Sequence, residues 1–444
     1  MNRPAGPVAA SSAGSIASTR AAGRIGNVRW LMIGVTFLIS TVAYLDRSNI
    51  SIAAPVLKGE LSLSDVQLGF VFSAFALGYA LTQPAAGWLA DRFGAYRIIA
   101  LGIAWWSVLT AVTAMIQPEA ANAFAILLAA RFMLGVGESI IFPASNRLVA
   151  NWIPSRERGL ANGLIFSGVG IGAGLAPPLI TYFILSYDWR AAFWVTAGIG
   201  VLALAVWLLL VRDRPDGHRW VSAAELDYIR RGSPVADDAP VVGRATTPWR
   251  RIFASRSIGF LALSYFCFGY VAYIYFSWFF TYLATVRGLD LKSSGLYGMF
   301  PFIAMAIASP FGGWVSDRLA TRVGARVGRC FVAAFGMGFS GVFIALATYV
   351  ADVRVAAIVL AAGSGSLYLA QSAFWTLSAD IGRRSAGTVS GLMNMGGQIG
   401  GVIVGILTPL LAQSFGWAAS FLFTAAVCIV GAVSWLFIDP EAQL

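Results

Sequence analysis

Residues 87–97 read GWLADRFGAYR, and residues 312–329 read GGWVSDRLATRVGARVGR. Each stretch separates two long apolar runs and carries an Asp-Arg pair just after a Gly-Trp-containing end, Asp91-Arg92 in one and Asp317-Arg318 in the other. The aspartates lie 226 residues apart, about half of the 444-residue chain. Further along, GLANGLIFSGVGIGAG matches GTVSGLMNMGGQIGG, which sets Gly159 against Gly387 and Gly163 against Gly391. DWRAAF matches GWAASF, which sets Trp189 against Trp417; these three offsets are all 228. A near-constant offset over separate segments predicts a duplicated fold whose two halves are parallel repeats.

Composition fixes the solvent. The chain is 58% hydrophobic and 11% charged, with a mean hydropathy of +0.75, whereas soluble domains carry roughly 25% charged residues. Apolar runs of about 20 residues, the length that crosses a bilayer as a helix, recur from Trp30 to Phe437. Alternating ten-residue segments of the barrel type are not visible. The expected fold is therefore all-α and integral to the membrane. It has twelve spans, near 29–49, 66–90, 97–116, 122–147, 158–184, 191–212, 257–286, 293–316, 329–350, 355–378, 386–412 and 417–438. They divide into a 29–212 bundle and a 257–438 bundle joined by a 213–256 linker, with a disordered tail at 1–28 and a short one at 439–444. The layout of the first residues is not that of a cleaved leader.

With both termini on one side, that side collects 24 of the 31 Lys and Arg residues and the other side five. This bias predicts cytoplasmic termini and accounts for the net charge of +11 without nucleic acid. Cys267, Cys330 and Cys428 fall in or beside apolar runs with no metal-ligand spacing, so they read as small core residues. No metal, cofactor or nucleophile–base pair is expected; the one histidine, His218, lies in the linker. An enzyme is accordingly not expected.

Two arginines and two acids remain inside the spans: Asp46, Arg47, Arg131 and Glu138. Each costs roughly 2.5–3.5 kcal/mol at mid-membrane, so such groups face the interior and pair or line a pathway. Asp46 and Arg47 are helix neighbours and point about 100° apart. Arg131 and Glu138 are seven residues apart, on one face, with Gly135 between them to leave volume for a carboxylate guest. Arginine grips a carboxylate with a planar fork. An acid that loses its cationic partner to an incoming anion takes up a proton more readily, which couples the two ligands.

Several stretches together carry a resemblance to a known family: YLDR at 44–47, VFSAFALGYALTQPAAGWLADRFG at 71–94, RFMLGVGESIIFPASNRLVANWIPSRERG at 131–159 and SAGTVSGLMNMGG at 385–397. The chain resembles the anion:cation symporter branch of the major facilitator superfamily over residues 30–440. That resemblance implies a monomeric inner-membrane carrier of a small organic anion, such as a sugar acid, moved with a proton by alternating access. Coupling to sodium and drug/proton antiport are the alternatives. It implies Asp46 and Glu138 as proton sites, and Arg47, Arg131, Tyr44, Tyr79, Ser372, Trp375 and Asn394 as substrate contacts. Gly87, Asp91, Arg92, Gly94, Arg97, Asp317 and Arg318 would form a cytoplasmic gate. Tyr273 belongs to an aromatic run that could line the cavity. One departure stands out: sugar-acid carriers of the branch commonly have Gln where this chain has Val169, which favours a less polar carboxylate.

Overall fold

The computed structural model describes residues 26–63, 65–117, 122–232, 247–279, 282–283, 287–288 and 297–442. Most of the predicted N-terminal tail, linker residues 233–246, the start of the eighth span and part of the seventh span's end lie outside them. All regular structure among the described residues is helical. The first bundle comprises α1 (Val28–Glu60), α2 (Asp65–Phe93), α3 (Ala95–Ala114), α4 (Ala123–Glu138), α5 (Ile141–Trp152), α6 (Arg158–Ser186) and α7 (Trp189–Leu210). Two short helices follow in the linker, α8 (Ala223–Gly232) and α9 (Trp249–Ala254). The second bundle comprises α10 (Arg256–Ser277), α11 (Phe300–Val323), α12 (Val332–Ala347), α13 (Val353–Leu369), α14 (Gln371–Gly382), α15 (Ala386–Phe415) and α16 (Trp417–Ser434).

Ten helical stretches among the described residues are long and apolar enough to cross a membrane. One of these, Val353–Phe415, holds two crossings that reverse at Arg383, a non-glycine residue with φ +45°. Helix α11, whose Gly-, Ser- and Arg-containing end lowers its hydropathy, completes the twelve. Two crossings are broken midway, at Ser139–Ile140 between α4 and α5 and at Ala370 between α13 and α14. At the first break the Ser139 hydroxyl donates back to the Val136 carbonyl at 2.7 Å, competing with the helix ladder. The first helix departs from expectation. It runs on to Glu60 instead of ending at 49, so Asp46 and Arg47 sit within it and not at its end.

The lipid-facing surface is apolar. Leu81, Leu185, Leu202, Ile307, Phe335 and Ile406 are all more than half exposed, which a soluble monomer would not tolerate as one surface. Within each half α1 packs along α6 and α10 along α15, while α2–α15 and α11–α6 join the halves.

The duplication is visible at the end of the molecule that carries the arginines. Asp91 accepts from the backbone N–H groups of Gly387 (3.0 Å) and Thr388 (2.7 Å) and from the Thr388 hydroxyl (2.8 Å). Asp317 accepts from the N–H groups of Gly159 (3.0 Å) and Leu160 (2.7 Å). Each carboxylate thus caps the first turn of a helix in the opposite half, where unpaired N–H groups and the helix dipole favour an anion. Arg147 pairs with Asp91 at 3.8 Å and donates to the Arg383 and Arg384 carbonyls, both at 3.0 Å. Arg329 pairs with Asp317 at 2.5 Å and donates to the Ser155 carbonyl at 2.8 Å. Helices come this close because Gly87 faces Gly387 and Gly313 faces Gly159, with no Cβ on either side.

The linker helix is docked, not solvated as its composition suggests. Glu225 is fully buried and accepts from the N–H groups of Val28 (3.3 Å) and Arg29 (3.1 Å), capping α1 while it pairs with the Arg29 guanidinium. Ile229 on the same face is also fully buried.

A Cβ at Gly387 would stand 2.6 Å from the Gly87 carbonyl oxygen and 3.0 Å from Asp91. Gly387→Val is therefore expected to prise the halves apart at this end. A cysteine placed at the fully buried Ser378 should then react several-fold faster with a hydrophilic maleimide, relative to protein lacking that cysteine. Gly405→Val, where a Cβ meets nothing within 4 Å, should leave the rate unchanged.

Candidate functional site

A cavity of about 860 Å³ lies between the halves. Its wall includes Tyr44, Arg47 and Lys58 from α1, Leu68, Phe75 and Tyr79 from α2, and Arg131 from α4. Phe142, Phe166, Val169 and Pro177 continue it along α5 and α6. The second half contributes Tyr265, Tyr273, Tyr368, Gln371, Asn394 and Gln398. Lys58, Leu68 and Pro177 are all at the end opposite Asp91, so the cavity runs from mid-molecule towards that end. Below it, towards Asp91, Trp375 packs on Phe166 (5.0 Å between ring centres) and Phe142 (5.9 Å) and forms an aromatic floor. The molecule is closed at its arginine-rich end and hollow at the other.

Asp46 and Arg47 separate as neighbours on a helix must. Asp46, 3% exposed, turns away from the cavity into the first bundle, where the Thr110 hydroxyl donates to it at 2.8 Å. Its second oxygen has no hydrogen-bond partner. Arg47 turns into the cavity and donates to the Tyr273 hydroxyl of the other half at 2.7 Å and, weakly, to Tyr44 at 3.4 Å. Tyr273 in turn donates to Gln398 at 2.7 Å. The Arg47 guanidinium also lies 4.8 Å from the ring centre of Phe75 and 5.1 Å from that of Tyr79, a cation–π box.

Arg131 lies over the same ring, 4.8 Å from the centre of Phe75. It is 3% exposed, lines the cavity and has an unpartnered Nε. Glu138, 2% exposed, keeps one oxygen without a partner, and both acids lie within electrostatic reach of Arg131. Among the described residues no ion pair within 4.0 Å involves Asp46, Arg47, Arg131 or Glu138. Three buried charges and the half-buried Arg47 are therefore left without direct salt bridges.

Gly135 does not open volume between Arg131 and Glu138. A Cβ there would collide with the Phe75 backbone, so the glycine exists to let α2 and α4 touch, as Gly78 does against Phe132. This close approach brings Phe75 against both arginines.

The remaining expected residues scatter by role. Tyr44, Tyr79 and Asn394 are on the cavity wall, and the Asn394 amide donates to Gln83 across the halves at 3.0 Å. Trp375 is in the floor, its N–H on the Tyr265 hydroxyl at 3.1 Å. Ser372 is fully buried, absent from the cavity wall, and its hydroxyl has no partner. Arg92 and Arg318 stack on Trp88 and Trp314 of their own helices and do not join Asp91 and Asp317 in the inter-half caps. Gly94 turns the chain with φ +91°, and Arg97 lies near Asp213, which caps α3 by accepting from the Tyr96 N–H at 2.8 Å. Sequence reasoning missed Gln371, Gln398, Tyr265 and Thr110. Gln398 was within reach, being one helical turn from Asn394 on the same face. Thr110, which shares its apolar helix with Ser107 and Thr113, gave no signal of its own.

Comparison with known proteins agrees with this architecture. A sequence profile described as the Major Facilitator Superfamily matches residues 36–405 and 319–444. The chain belongs to that superfamily. It is 35% identical over 416 residues to a probable sulfoacetate transporter of Cupriavidus necator, covering 93% of this chain and 94% of that one. It is 29% identical over 441 residues to a D-galactonate transporter of Escherichia coli, covering 95% and 98%. Among solved structures it superposes on a proton:xylose symporter with a TM-score of 0.76 at 15% identity, covering 94% and 97%. The protein is thus a secondary transporter of this superfamily, with anion transporters among its relatives, and not an enzyme.

Thr110→Val keeps the shape of α3 and removes the hydroxyl that donates to Asp46. Loss of a partner to a buried acid costs about 1–3 kcal/mol. The variant should therefore melt at a lower temperature in detergent, and Thr110→Ser should restore it.

Proposed function

We propose that the protein is a proton-coupled symporter of an organic anion, set in the inner membrane as a monomer with both termini in the cytoplasm. The observation that carries this reading is the pair of guanidinium groups on the cavity wall with no carboxylate within 4.0 Å of them, backed by two buried acids that also lack ion pairs. Cations held this way in a low-dielectric cavity are complementary to an anion, not to a cationic drug. The names of the relatives, transporters of sulfoacetate and of galactonate, point the same way. The arginine bias of the closed end supports a cytoplasmic assignment for it. The cavity then faces outward, as a loading state should.

Coupling follows from charge. Arg47, Arg131, Asp46 and Glu138 are neutral as a set when all are ionised. An anion entering the cavity draws the arginines to itself and leaves the acids under-compensated in a medium where an isolated charge is expensive. Taking up a proton restores the balance. Release at the far side requires the acids to deprotonate again before the empty carrier resets, so anion and proton travel together.

The planar fork of each arginine should matter beyond its charge. Arg47→Lys and Arg131→Lys are each expected to weaken binding of the transported acid by tenfold or more, read by ligand-induced stabilisation of purified protein. Unchanged affinity in both would remove them from the site.

Glu138→Gln imitates a permanently protonated acid of the same shape. Uptake into proteoliposomes driven by a pH gradient should collapse, while exchange of external for internal substrate should persist, because exchange does not need the empty carrier to reset. A well-folded variant that loses both activities would refute the proton role. Gradient-driven uptake that persists would refute it as well, and replacing the pH gradient by a sodium gradient in the parent tests the coupling ion directly.

A further inference from the structure

The closed end carries a set of contacts that the duplication does not repeat. Residues 153–160, which join α5 to α6, are a landing surface for the second half. The Ser155 carbonyl accepts from Arg329 at 2.8 Å, Arg158 pairs with Asp380 at 2.5 Å, and the Gly159 and Leu160 N–H groups donate to Asp317. Arg158 is fully buried and also donates to the Ile153 and Ala150 carbonyls at 3.1 and 3.0 Å, so its reach to Asp380 depends on the shape of this segment. The segment itself is a single 3-10 turn, Ser155–Glu157, with no side-chain cap. A turn that short has poor hydrogen-bond geometry and does not fix its own shape.

Its other side is held by the linker helix and the start of α1. Glu157 accepts from the Arg29 Nε at 3.0 Å with one carboxylate oxygen and from the Tyr228 hydroxyl with the other. The centre of the Tyr228 ring is 4.8 Å from the Arg29 guanidinium and 4.5 Å from that of Arg156. At the end of α8 a Cβ on Gly232 would stand 2.5 Å from the Pro154 Cβ, so helix and segment touch there as well. At the matching position of the second half, 228 residues on, Ser385 stands in place of Glu157. The acid that receives these bonds is thus present in the first half and missing from its repeat.

We propose that α8 braces the closed end, with Glu157 as the positioning residue through which Arg29 and Tyr228 hold residues 153–160 in the shape that Arg329, Asp317 and Asp380 dock on. A segment already held in its docking shape loses less conformational freedom when the other half arrives. The brace therefore favours the state closed at this end, although none of its own bonds crosses between the halves. This goes beyond the proposed function and does not depend on which solute or ion is carried.

The test uses the full-length purified protein with two readouts. One is the maleimide reactivity of Ser378→Cys, which reports opening of the closed end. The other is hydrogen exchange of the Gly159 and Leu160 amides, bonded to Asp317, and of the Gly387 and Thr388 amides, bonded to Asp91. In Glu157→Ala the cysteine should react several-fold faster and both pairs of amides should exchange several-fold faster. Glu157→Gln, which keeps one acceptor oxygen, and Tyr228→Phe, which removes one of the two donors, should fall between this variant and the parent. Asp227→Ala, on the same helix but paired with Arg231 at 2.9 Å, should match the parent in both readouts. Parent-like values in Glu157→Ala would overturn the proposal. Faster exchange at Gly159 and Leu160 with unchanged cysteine reactivity would also overturn it, since α8 would then support the segment without biasing the carrier. Should Glu157→Ala not fold, Tyr228→Phe decides, and a parent-like cysteine rate there overturns the proposal.

Discussion

Everything about the central cavity follows from two guanidinium groups held in the membrane without carboxylate partners. Their nearest partners are aromatic faces and phenol oxygens: Phe75 against both, with Tyr44, Tyr79 and Tyr273 around Arg47. Such contacts are worth about 2 kcal/mol or more each when desolvated, the same order as the roughly 2.5–3.5 kcal/mol that a buried charge costs. These contacts are neutral, and a bound anion supplies the opposite charge that they do not. Neither acid forms a direct ion pair with them: Asp46 accepts from Thr110, and Glu138, within electrostatic reach of both arginines, keeps an oxygen unsatisfied.

The two halves divide the work unequally despite their common ancestry. The first supplies Asp46, Arg47, Arg131 and Glu138, the charges at the centre of the site. The second supplies neutral groups, the phenols of Tyr265 and Tyr273 and the amides of Gln371, Asn394 and Gln398, most of which bond to each other or across to the first half. The link from Arg47 through Tyr273 to Gln398 ties the charged half to the neutral one across the cavity. A ligand that takes Arg47 therefore alters the contact between halves as well as the charge of one of them. At the closed end the symmetry is kept. Asp91 and Asp317 each cap a helix of the opposite half, and these bonds must break together for the cavity to open there. A carboxylate on a helix N-terminus is a reversible tie, strong when dry and readily replaced by water once the gap widens.

Much of this was legible in the residues. Composition and run length required a membrane-spanning helical protein, the constant offset between repeated motifs required two equivalent halves, and the cost of burying charge singled out Asp46, Arg47, Arg131 and Glu138. Helical periodicity also implied that Asp46 and Arg47 could not share a target, and they do not. These readings rest on local rules, namely length, period and solvation cost, which act along the chain and survive any particular packing. Tertiary structure alone decided the rest. Gly135 reads as empty volume in the sequence and is a helix contact in the fold, because what a missing Cβ makes room for depends on which backbone approaches it. Asp91 finds the first turn of α15 and Glu225 the first turn of α1, although nothing near them in sequence offers those N–H groups. Arg47 meets Tyr273 from 226 positions away. Which charge stays unpaired is settled by the directions from which helices bring their side chains together, and those directions are fixed only when the two bundles close on each other.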